Sequence, residues 1–354
     1  MNGTTKKESA AAEHPTSTHT HMFAIMLKLR ARAAGDVLPH AGQLAHAAIL
    51  QWLAEVQPEL AERLHTPNGD RPFTCSSLWF PNEREVVRAQ QAQRRMQIVP
   101  NLIYWLRLTV LDEQVFHAFT QRFLPQPLTL SGEVTGLPQL RLGSVQFEVL
   151  ELRTVAESTT HDAISWSGYA SYRTLVEQAQ AMETIPMVGL EFRSPTAFSG
   201  GQQPWGKRMH LFPDADRVFV RLAKVWNAWA PPEYALDVTA LRAFLDASVV
   251  PAQFRLETRV IHFDHYAQVG FVGTCQYALF SPTDATIVGA ELLPAQAVWL
   301  LAQFAFYAGV GHKTTMGMGQ ARPLNLSRTT TRRADAASAT STKTAQKGDH
   351  HGSQ

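Results

Sequence analysis

The order in which two hydrophobic periodicities alternate between residues 22 and 155 restricts the fold of this chain more than any other feature. The segment FAIMLKLRARA places Phe23, Ile25 and Leu27 on one face, which is the alternation of a strand. The segments HAGQLAHAAILQWLAEV and PELAERL instead repeat apolar residues at helical spacing. Two strand-like segments follow, RPFTCSSLWF and QIVPNLIYWLRLTVL, and then the helix-like DEQVFHAFTQRFL and the strand-like GSVQFEVLELRTV. The predicted order is strand, helix, strand, strand, helix, strand.

This βαββαβ order is that of a ferredoxin-like domain, whose four-stranded sheet leaves one face open and which also underlies common RNA-recognition modules. The second half is compatible with a repeat of the same unit, because strand-like IPMVGLEFRSPTAF is followed by two helical segments and then by FRLETRVIHFDHYAQ and GFVGTCQYALF. An apolar helix over about 295–308 leads into a glycine-rich segment. The sequence therefore predicts an α+β protein with two tandem ferredoxin-like, RRM-like domains, residues 21–155 and 156–326, and a C-terminal glycine-rich loop.

Length and composition agree with two soluble domains. A single core rarely grows beyond about 250 to 300 residues, and this chain has 354. It is 45% apolar and 18% charged, and it contains no run of about 18 apolar residues that would span a bilayer. The first twenty residues lack the apolar core of a signal peptide, so we expect a cytoplasmic protein without a membrane partner. The net charge of +2 is small, so affinity for phosphates must come from local clusters.

Both ends of the chain have the composition of disordered tails. Residues 1–20 and 327–354 are rich in Thr, Ser, Ala and charge, and they hold almost no large apolar side chains that could offset the entropy of ordering. Five histidines are assigned to these tails: His14, His19, His21, His350 and His351. The two cysteines, Cys75 and Cys275, are isolated and are expected to be buried small hydrophobic residues in a reducing compartment.

A glycine-rich segment near the C-terminal end, FAFYAGVGHKTTMGMGQARPL, surrounds a basic pair with four glycines. Glycine is destabilising by roughly 0.5 to 1 kcal/mol inside regular structure, so we expect something to approach this backbone closely. A Walker loop does not fit, because His312 separates Gly311 from Lys313 and a helix comes first. A dinucleotide fingerprint does not fit, because no helix follows. Two interpretations remain: a loop whose amides and Lys313 lie against the phosphates of a polyanion, or a plain glycine-rich turn with a solvated lysine.

At this point the sequence resembles a known family. GVGHKTTMGMGQ, after an aromatic-rich helix, resembles the signature glycine loop of the CRISPR repeat-processing endoribonucleases, the sixth Cas protein family of the RAMP superfamily. LPHAGQLAHAAILQWL, LEFRSPTAF and VFVRLAKVWNAWAP resemble the family at corresponding places, so the resemblance spans about residues 22–326. It implies an enzyme that cuts CRISPR precursor RNA within its repeats to produce crRNA.

The resemblance also implies a reaction without a metal or other cofactor. The neighbouring 2′-hydroxyl attacks the phosphodiester and leaves a 2′,3′-cyclic phosphate and a 5′-hydroxyl. Because RNA supplies its own nucleophile, the protein must provide a base, an acid and cations. The implied partners are the CRISPR repeat RNA, as precursor and as mature crRNA, with other subunits of a Cas effector complex left open. The alternative function is a non-catalytic RNA-binding subunit of such a complex.

Three residues are the candidates for catalysis: His46, His65 and Arg71. Some family members place a catalytic histidine where this chain has His65 and a lysine six residues later, where this chain has Arg71. The tyrosine that those members use falls at about Ile49 or Leu50, so His46, one turn earlier on the same helix face, is its candidate replacement. His46 has an equal alternative as a histidine packed in the core, because apolar residues occupy the same face.

The predicted RNA contacts fall in three groups. His312 and Lys313 lie in the glycine loop, His40 precedes the first helix, and four arginines form a basic run that is either a solvated hairpin or a backbone contact. For His40 a helix-entry role is the preferred alternative. His262 and His265 point to opposite faces of a strand, which disfavours a metal site there. The full predicted set is Gly309, Gly311, His312, Lys313, Gly317, Gly319, His40, Arg84, Arg88, Arg94 and Arg95.

Overall fold

The computed structural model describes residues 20–65, 71–123, 137–155, 164–263, 266–280 and 286–325. The elements of the first half are β1 His21–Ala31, β2 Gly35–Val37, α1 Gly42–Val56, α2 Pro58–His65, β3 Phe73–Cys75, α3 Glu83–Gln91, β4 Met96–Ile98, β5 Ile103–Val110, α4 Glu113–Thr120, β6 Gln139–Leu142, β7 Val145–Arg153 and β8 Gly168–Ser171. Those of the second half are α5 Tyr172–Gln180, β9 Met187–Thr196, β10 Phe198–Gln203, β11 Gly206–His210, α6 Arg221–Trp229, α7 Val238–Ser248, β12 Val249–His262, β13 Ala267–Leu279, α8 Pro294–Ala308 and β14 Ala321–Pro323. Along the described ranges, no helix combines the length and the apolar character needed to cross a membrane.

The fold is a mixed α+β architecture with one large sheet in each half. The first sheet has the order β3-β5-β1-β7-β6, and its pairs are antiparallel. The second has the order β12-β13-β9-β14 and is also antiparallel. The helix and strand segments expected from the sequence are present, but short additional elements interrupt them. These are the small β2-β4 sheet, α3, β6, β8 and the separate β10-β11 hairpin.

Strand β8 joins the first sheet from beyond the predicted boundary at residue 155. It pairs with the start of β1, where Ser171 lies opposite His21. His21 therefore lies in a strand, and its Nδ1 is 2.7 Å from Oε1 of Glu113, so its assignment to a disordered tail was wrong. The other four tail histidines, and the tails themselves apart from Thr20, lie outside the described residues.

The face of the first sheet that was expected to be open is covered. Ile25 and Leu27 of β1 point into a core shared with α1, α2 and α4. Met22 and Ala24, on the opposite face, belong to the core of the second half together with α8. The prediction of an open face was wrong because β1 is apolar on both sides, which is the pattern of a strand buried on both faces. The second domain supplies the cover, and this brings the end of α8 to the N-terminal domain.

Candidate nucleic-acid interface and active site

The glycine loop, residues 309–320, connects α8 to β14 and is held by its own chain. The amide of Val310 donates to the carbonyl of Gly319 at 2.8 Å, and the amide of Gly319 donates to Pro195 at 3.1 Å. The amide of His312 donates to the carbonyl of Ala197 at 2.8 Å. The loop is therefore fastened to the junction between β9 and β10.

Two of the loop glycines show why this residue type is required. Gly319 has φ = 70°, and a Cβ there would lie 2.1 Å from the carbonyl oxygen of Val310. Gly317 has φ = 90°, and a Cβ there would lie 2.7 Å from the hydroxyl oxygen of Ser77. Both the left-handed backbone and the close packing exclude a side chain. The close approach that the sequence predicts is thus made in part by this protein itself.

The outer turn of the loop packs against the start of α1 and against β3. A Cβ on Gly42 would lie 2.0 Å from the carbonyl oxygen of Met316, so this helix begins directly on the loop. The Cys75 thiol donates to the carbonyl of Thr315 at 2.7 Å, and burial raises the pKa of that thiol, which keeps it a protonated donor. The loop is consequently a joint between the two halves of the chain.

Arg107 of β5 strengthens this joint from within the core. Its Nε donates to the carbonyl of Trp166 at 2.8 Å, and its two terminal nitrogens donate to Gln320 and to the carbonyl of Phe306, each at 2.6 Å. Burial lowers the pKa of Arg107 to about 9, so the guanidinium stays charged at neutral pH. Arg107 was not among the residues predicted from the sequence. Its signal was a lone charge inside the apolar run YWLRLTV.

His40 is a structural part of the same joint. It is 5% exposed, its Nε2 donates to the carbonyl of Met316 at 3.0 Å, and its Nδ1 accepts from the Ser77 hydroxyl at 2.9 Å. Burial lowers its pKa to about 4. Both ring nitrogens are thus occupied, which favours the helix-entry role over the predicted phosphate contact.

The three candidate catalytic residues lie near one another around α1. His46 stacks on Phe73 with 5.7 Å between ring centroids and is 8% exposed. Burial is the main cause that lowers the pKa of His46 to about 4, and the nearby charges of Arg71 and His65 lower it further. The three side chains are therefore close enough to interact electrostatically. Arg71 Nε donates to the carbonyl of Leu64 at 2.8 Å.

The accessibility of the three residues differs. His65 is exposed at the last residue of α2, directly before a segment outside the described residues. Nδ1 of His46 is buried and has no hydrogen-bond partner among the described residues. Ile49 and Leu50, where the family's tyrosine would fall, are buried core residues. The part of these three residues in catalysis, with His46 in place of the tyrosine, stays a prediction.

The basic pair of the loop lies on its half-buried edge. Lys313 donates to the Tyr266 hydroxyl, and its Nζ lies 4.0 Å and 4.6 Å from the ring centroids of Tyr266 and Phe263. His312 lies beside Lys207 of β11, with 3.1 Å between Nε2 and Nζ, and its pKa is lowered to about 4 by burial and by Lys207. Gly311 is half-buried like this pair, whereas Gly309, Gly317 and Gly319 are buried, so direct contact with RNA is not supported for those three.

The predicted basic run forms a helix and two ion pairs instead of a hairpin. Arg84 and Arg88 are exposed one turn apart on α3, so they share a face. Arg94 pairs with Glu85, and Arg95 pairs with Asp36. No acidic residue follows Glu85 in this run, but the fold supplies partners, because the turn after α3 brings Arg94 back to the first turn of that helix and β2 brings Asp36 to Arg95. Contact with RNA by the run stays a prediction.

The β10-β11 hairpin was missed by the sequence analysis. Its segment GGQQPWGKRMH carries Trp205, Lys207 and Arg208, and no Asp or Glu occurs between Arg193 and Asp214. This absence of carboxylates is the sequence feature that could have identified the hairpin as a basic surface. Within the described ranges, no group of three or more His, Cys, Asp or Glu side chains is arranged to hold a metal ion, and His265 lies outside those ranges.

Comparison with protein-family models gives two adjoining matches. A model of the CRISPR Cas6 N-terminal domain matches residues 22–177, and a model of the CRISPR-associated endoribonuclease Cas6 matches residues 190–321. Together they cover most of the chain, including α1, the hairpin and the glycine loop. Comparison with curated protein sequences gave no match.

Solved structures of Cas6 proteins share the fold of this chain over nearly all of their own length. The Cas6 (TTHB231) product complex is 25% identical, with a TM-score of 0.63 over 86% of this chain and 100% of that one. Thermus thermophilus Cas6 (TTHB231) is 24% identical, with a TM-score of 0.57 over 87% of this chain and 100% of that one. The Cas6 (TTHA0078) product complex is 23% identical, with a TM-score of 0.57 over 86% and 100%.

Proposed function

Because the chain belongs to the Cas6 family of CRISPR-associated endoribonucleases, we propose that it cuts CRISPR precursor RNA within its repeats to produce crRNA. The proposed reaction is attack of a 2′-hydroxyl on the adjacent phosphodiester, which gives a 2′,3′-cyclic phosphate and a 5′-hydroxyl. The protein then needs only a base, an acid and a cation around that phosphate. A metal ion has no part in this proposal.

The proposed architecture is two ferredoxin-like domains, with the glycine loop at the end of the second. The order β3-β5-β1-β7 in the first sheet and β12-β13-β9-β14 in the second support this. In each case the second, third, first and fourth main strands of the domain lie side by side, so the two halves repeat one topology. The sheet pairing of β8 extends the first domain beyond residue 155.

The observation that carries the catalytic proposal is the grouping of His46, His65 and Arg71 beside the glycine loop. The charges of Arg71 and His65 both act on the pKa of His46, and the carbonyl of Thr315 in the loop acts on it as well. The candidate proton-transfer groups of the N-terminal domain therefore adjoin the candidate RNA-binding loop of the C-terminal domain. A scissile phosphate held by the loop would lie next to them.

The electrostatics favour a division of roles. His46 has a pKa of about 4 and is neutral at physiological pH, so we assign it the base that accepts the 2′-hydroxyl proton. A phosphodiester beside it would counter the positive charge of Arg71 and raise the pKa of His46 toward the range where a base is efficient. His65 is exposed and is assigned the acid that protonates the 5′-oxygen, and Arg71 stabilises the extra negative charge of the transition state.

The test is cleavage of a labelled copy of the organism's own repeat RNA in excess chelator. We expect a single cut that leaves a 2′,3′-cyclic phosphate. A 2′-deoxy substitution at the nucleotide before the scissile phosphate should abolish the cut and change the Kd by less than about threefold, because one hydroxyl contributes little to a largely electrostatic affinity.

The same 2′-deoxy change one nucleotide further upstream is the matched control and should be cut normally. Cleavage of the first deoxy RNA at the same bond would contradict the mechanism, as would a strict need for magnesium. Tight binding without any cut would identify a non-catalytic subunit instead.

A further inference from the structure

The tip of the β10-β11 hairpin presents an aromatic ring that the fold does not use. Trp205 lies in the two-residue turn between the strands and is 72% exposed, the highest exposure of any large hydrophobic residue in the described part of the chain. Gly201 and Gly206 flank the tip with φ of 87° and 128°, and a Cβ at either position would have nothing within 4 Å. The tip therefore stands clear of the rest of the protein.

The base of the hairpin, in contrast, is fixed to the glycine loop. Met209 packs in a small core with Phe263 and with Met318 of the loop. The carbonyl of Ala197, just before β10, accepts the His312 amide at 2.8 Å. The indole is thus carried by a two-stranded ribbon whose base contacts the loop proposed to hold RNA.

The charge along the hairpin is of one sign. Lys207 and Arg208 follow Trp205 directly, and Nζ of Lys207 lies 3.1 Å from Nε2 of His312. No carboxylate occurs in the twenty residues from Ser194 to Pro213, nor between Gly309 and Asn325 in and after the loop. An exposed aromatic ring followed by cations, in a segment without carboxylates, has the composition of a platform for single-stranded nucleic acid.

We propose that the β10-β11 hairpin is a second RNA-contact site, in which Trp205 stacks on one unpaired base of the repeat and Lys207 binds a phosphate next to that base. The proposal rests on the proposed function, since it takes repeat RNA as the ligand. Single-stranded RNA fits better than a duplex, because a base inside a helix has its faces covered by its neighbours. It also fits better than a protein surface, because a lone ring on a narrow tip buries little area while base stacking needs only one ring face.

The experiment measures binding of the repeat RNA by fluorescence anisotropy, separately from cleavage. The variant Trp205→Ala should raise the Kd roughly 5- to 100-fold, whereas Trp205→Tyr, which keeps a stacking ring, should stay within about threefold of the unchanged protein. The matched control is Tyr169→Ala on β8, which removes another exposed aromatic residue, 60% exposed, from a different surface. That control should leave the Kd unchanged.

An abasic scan of the RNA then locates the stacked base. One abasic position should weaken binding to the unchanged protein and should have no further effect with Trp205→Ala, since ring and base form one contact. Lys207→Ala should lower the slope of log K against log salt by about 0.7, the value for one single-strand phosphate, and Arg173→Ala on α5 should not.

The outcomes separate this proposal from the proposed function. If the unchanged protein cuts the repeat but Trp205→Ala binds it with the same Kd, the hairpin proposal is overturned and the endoribonuclease proposal stands. If the RNA is bound without being cut and Trp205→Ala binds weakly, the hairpin proposal stands and the catalytic one falls. If the loss of affinity caused by Trp205→Ala adds to the loss caused by each abasic position, no base is coupled to the ring. That result would also overturn the stacking contact.

Discussion

Two buried histidines six residues apart, His40 and His46, share their burial and their lowered pKa but differ in their hydrogen bonds. They are 5% and 8% exposed, burial lowers the pKa of each to about 4, and each lies against a carbonyl of the glycine loop, that of Met316 or of Thr315. His40 has both ring nitrogens bonded within the chain. Nδ1 of His46 has no partner among the described residues.

This difference separates a structural histidine from a candidate catalyst. A buried polar atom without a partner is destabilising, by about 1 to 3 kcal/mol, so such an atom calls for a functional explanation. Burial and a lowered pKa are shared by both residues and therefore do not identify the catalyst. The missing hydrogen-bond partner at Nδ1 and the neighbouring Arg71 together favour His46 as the candidate catalyst.

The largest expected effect is on the rate of cleavage. His46→Ala and His65→Ala should each lower single-turnover cleavage of the repeat RNA by about 100-fold or more, because each removes a proton-transfer group, while the Kd for the RNA stays within a few-fold. Single-turnover kinetics at saturating protein measures the rate without the contribution of binding.

His117→Ala is the matched control, since His117 is an exposed histidine of the same domain, on α4, and should keep the normal rate. If His46→Ala cuts at the normal rate and His65→Ala does not, His46 is a core histidine and the comparison with His40 loses its functional meaning.

A smaller effect is expected on stability. At pH 7.5, His40→Gln should lower the free energy of unfolding by about 1 to 3 kcal/mol, because a Gln amide cannot occupy the positions of both ring nitrogens and so loses at least one of the bonds to Met316 and Ser77. His46→Gln has no bond at Nδ1 to lose and only the contact with the Thr315 carbonyl to weaken, so it should cost less. Denaturant unfolding followed by fluorescence compares the two variants, and equal losses would contradict the distinction.

The pH dependence of stability tests the shared property of the two residues. For a histidine with a pKa of about 4 when folded and 6.5 when unfolded, the unfolded chain binds the proton more tightly. Stability is therefore full above pH 6.5 and falls by up to about 3 kcal/mol per residue as the pH drops toward 4. His40→Gln should flatten this fall, which melting temperatures at pH 7.5 and 4.5 would detect. An unchanged fall would show that His40 is not held neutral.

The smallest expected effect is on RNA affinity and comes from Lys313, on the half-buried edge of the glycine loop. Lys313→Gln removes one charge but keeps the length of the side chain, so the Kd for repeat RNA should rise only a few-fold and the salt slope should fall by about 0.7. Arg173→Gln, on α5, is the control for a general loss of positive charge. Unchanged affinity and slope for Lys313→Gln would limit the loop to its role as a joint between domains.

Local sequence patterns predicted the main elements and the position of the loop. The alternation in β1 and the helical spacing in α1 arise from backbone geometry within about ten residues, so they are legible in the sequence. The apolar residues on both faces of β1 also signalled a strand buried on both sides, although the expectation of an open face overlooked them. The β10-β11 hairpin was not predicted from the sequence, because its strands are short and rich in glycine and glutamine and show little periodicity.

What the sequence alone determined is which segments form strands and helices, where the glycine loop lies and that His46, His65 and Arg71 are the candidates for catalysis. The tertiary structure decided which histidine is satisfied and which is not, that Arg94 and Arg95 have acidic partners, and that the loop glycines pack against their own chain. Periodicity is set by neighbours along the chain, whereas a hydrogen bond such as that from His40 to Met316 joins residues 276 positions apart. Only the packing of one domain on the other brings such partners within reach.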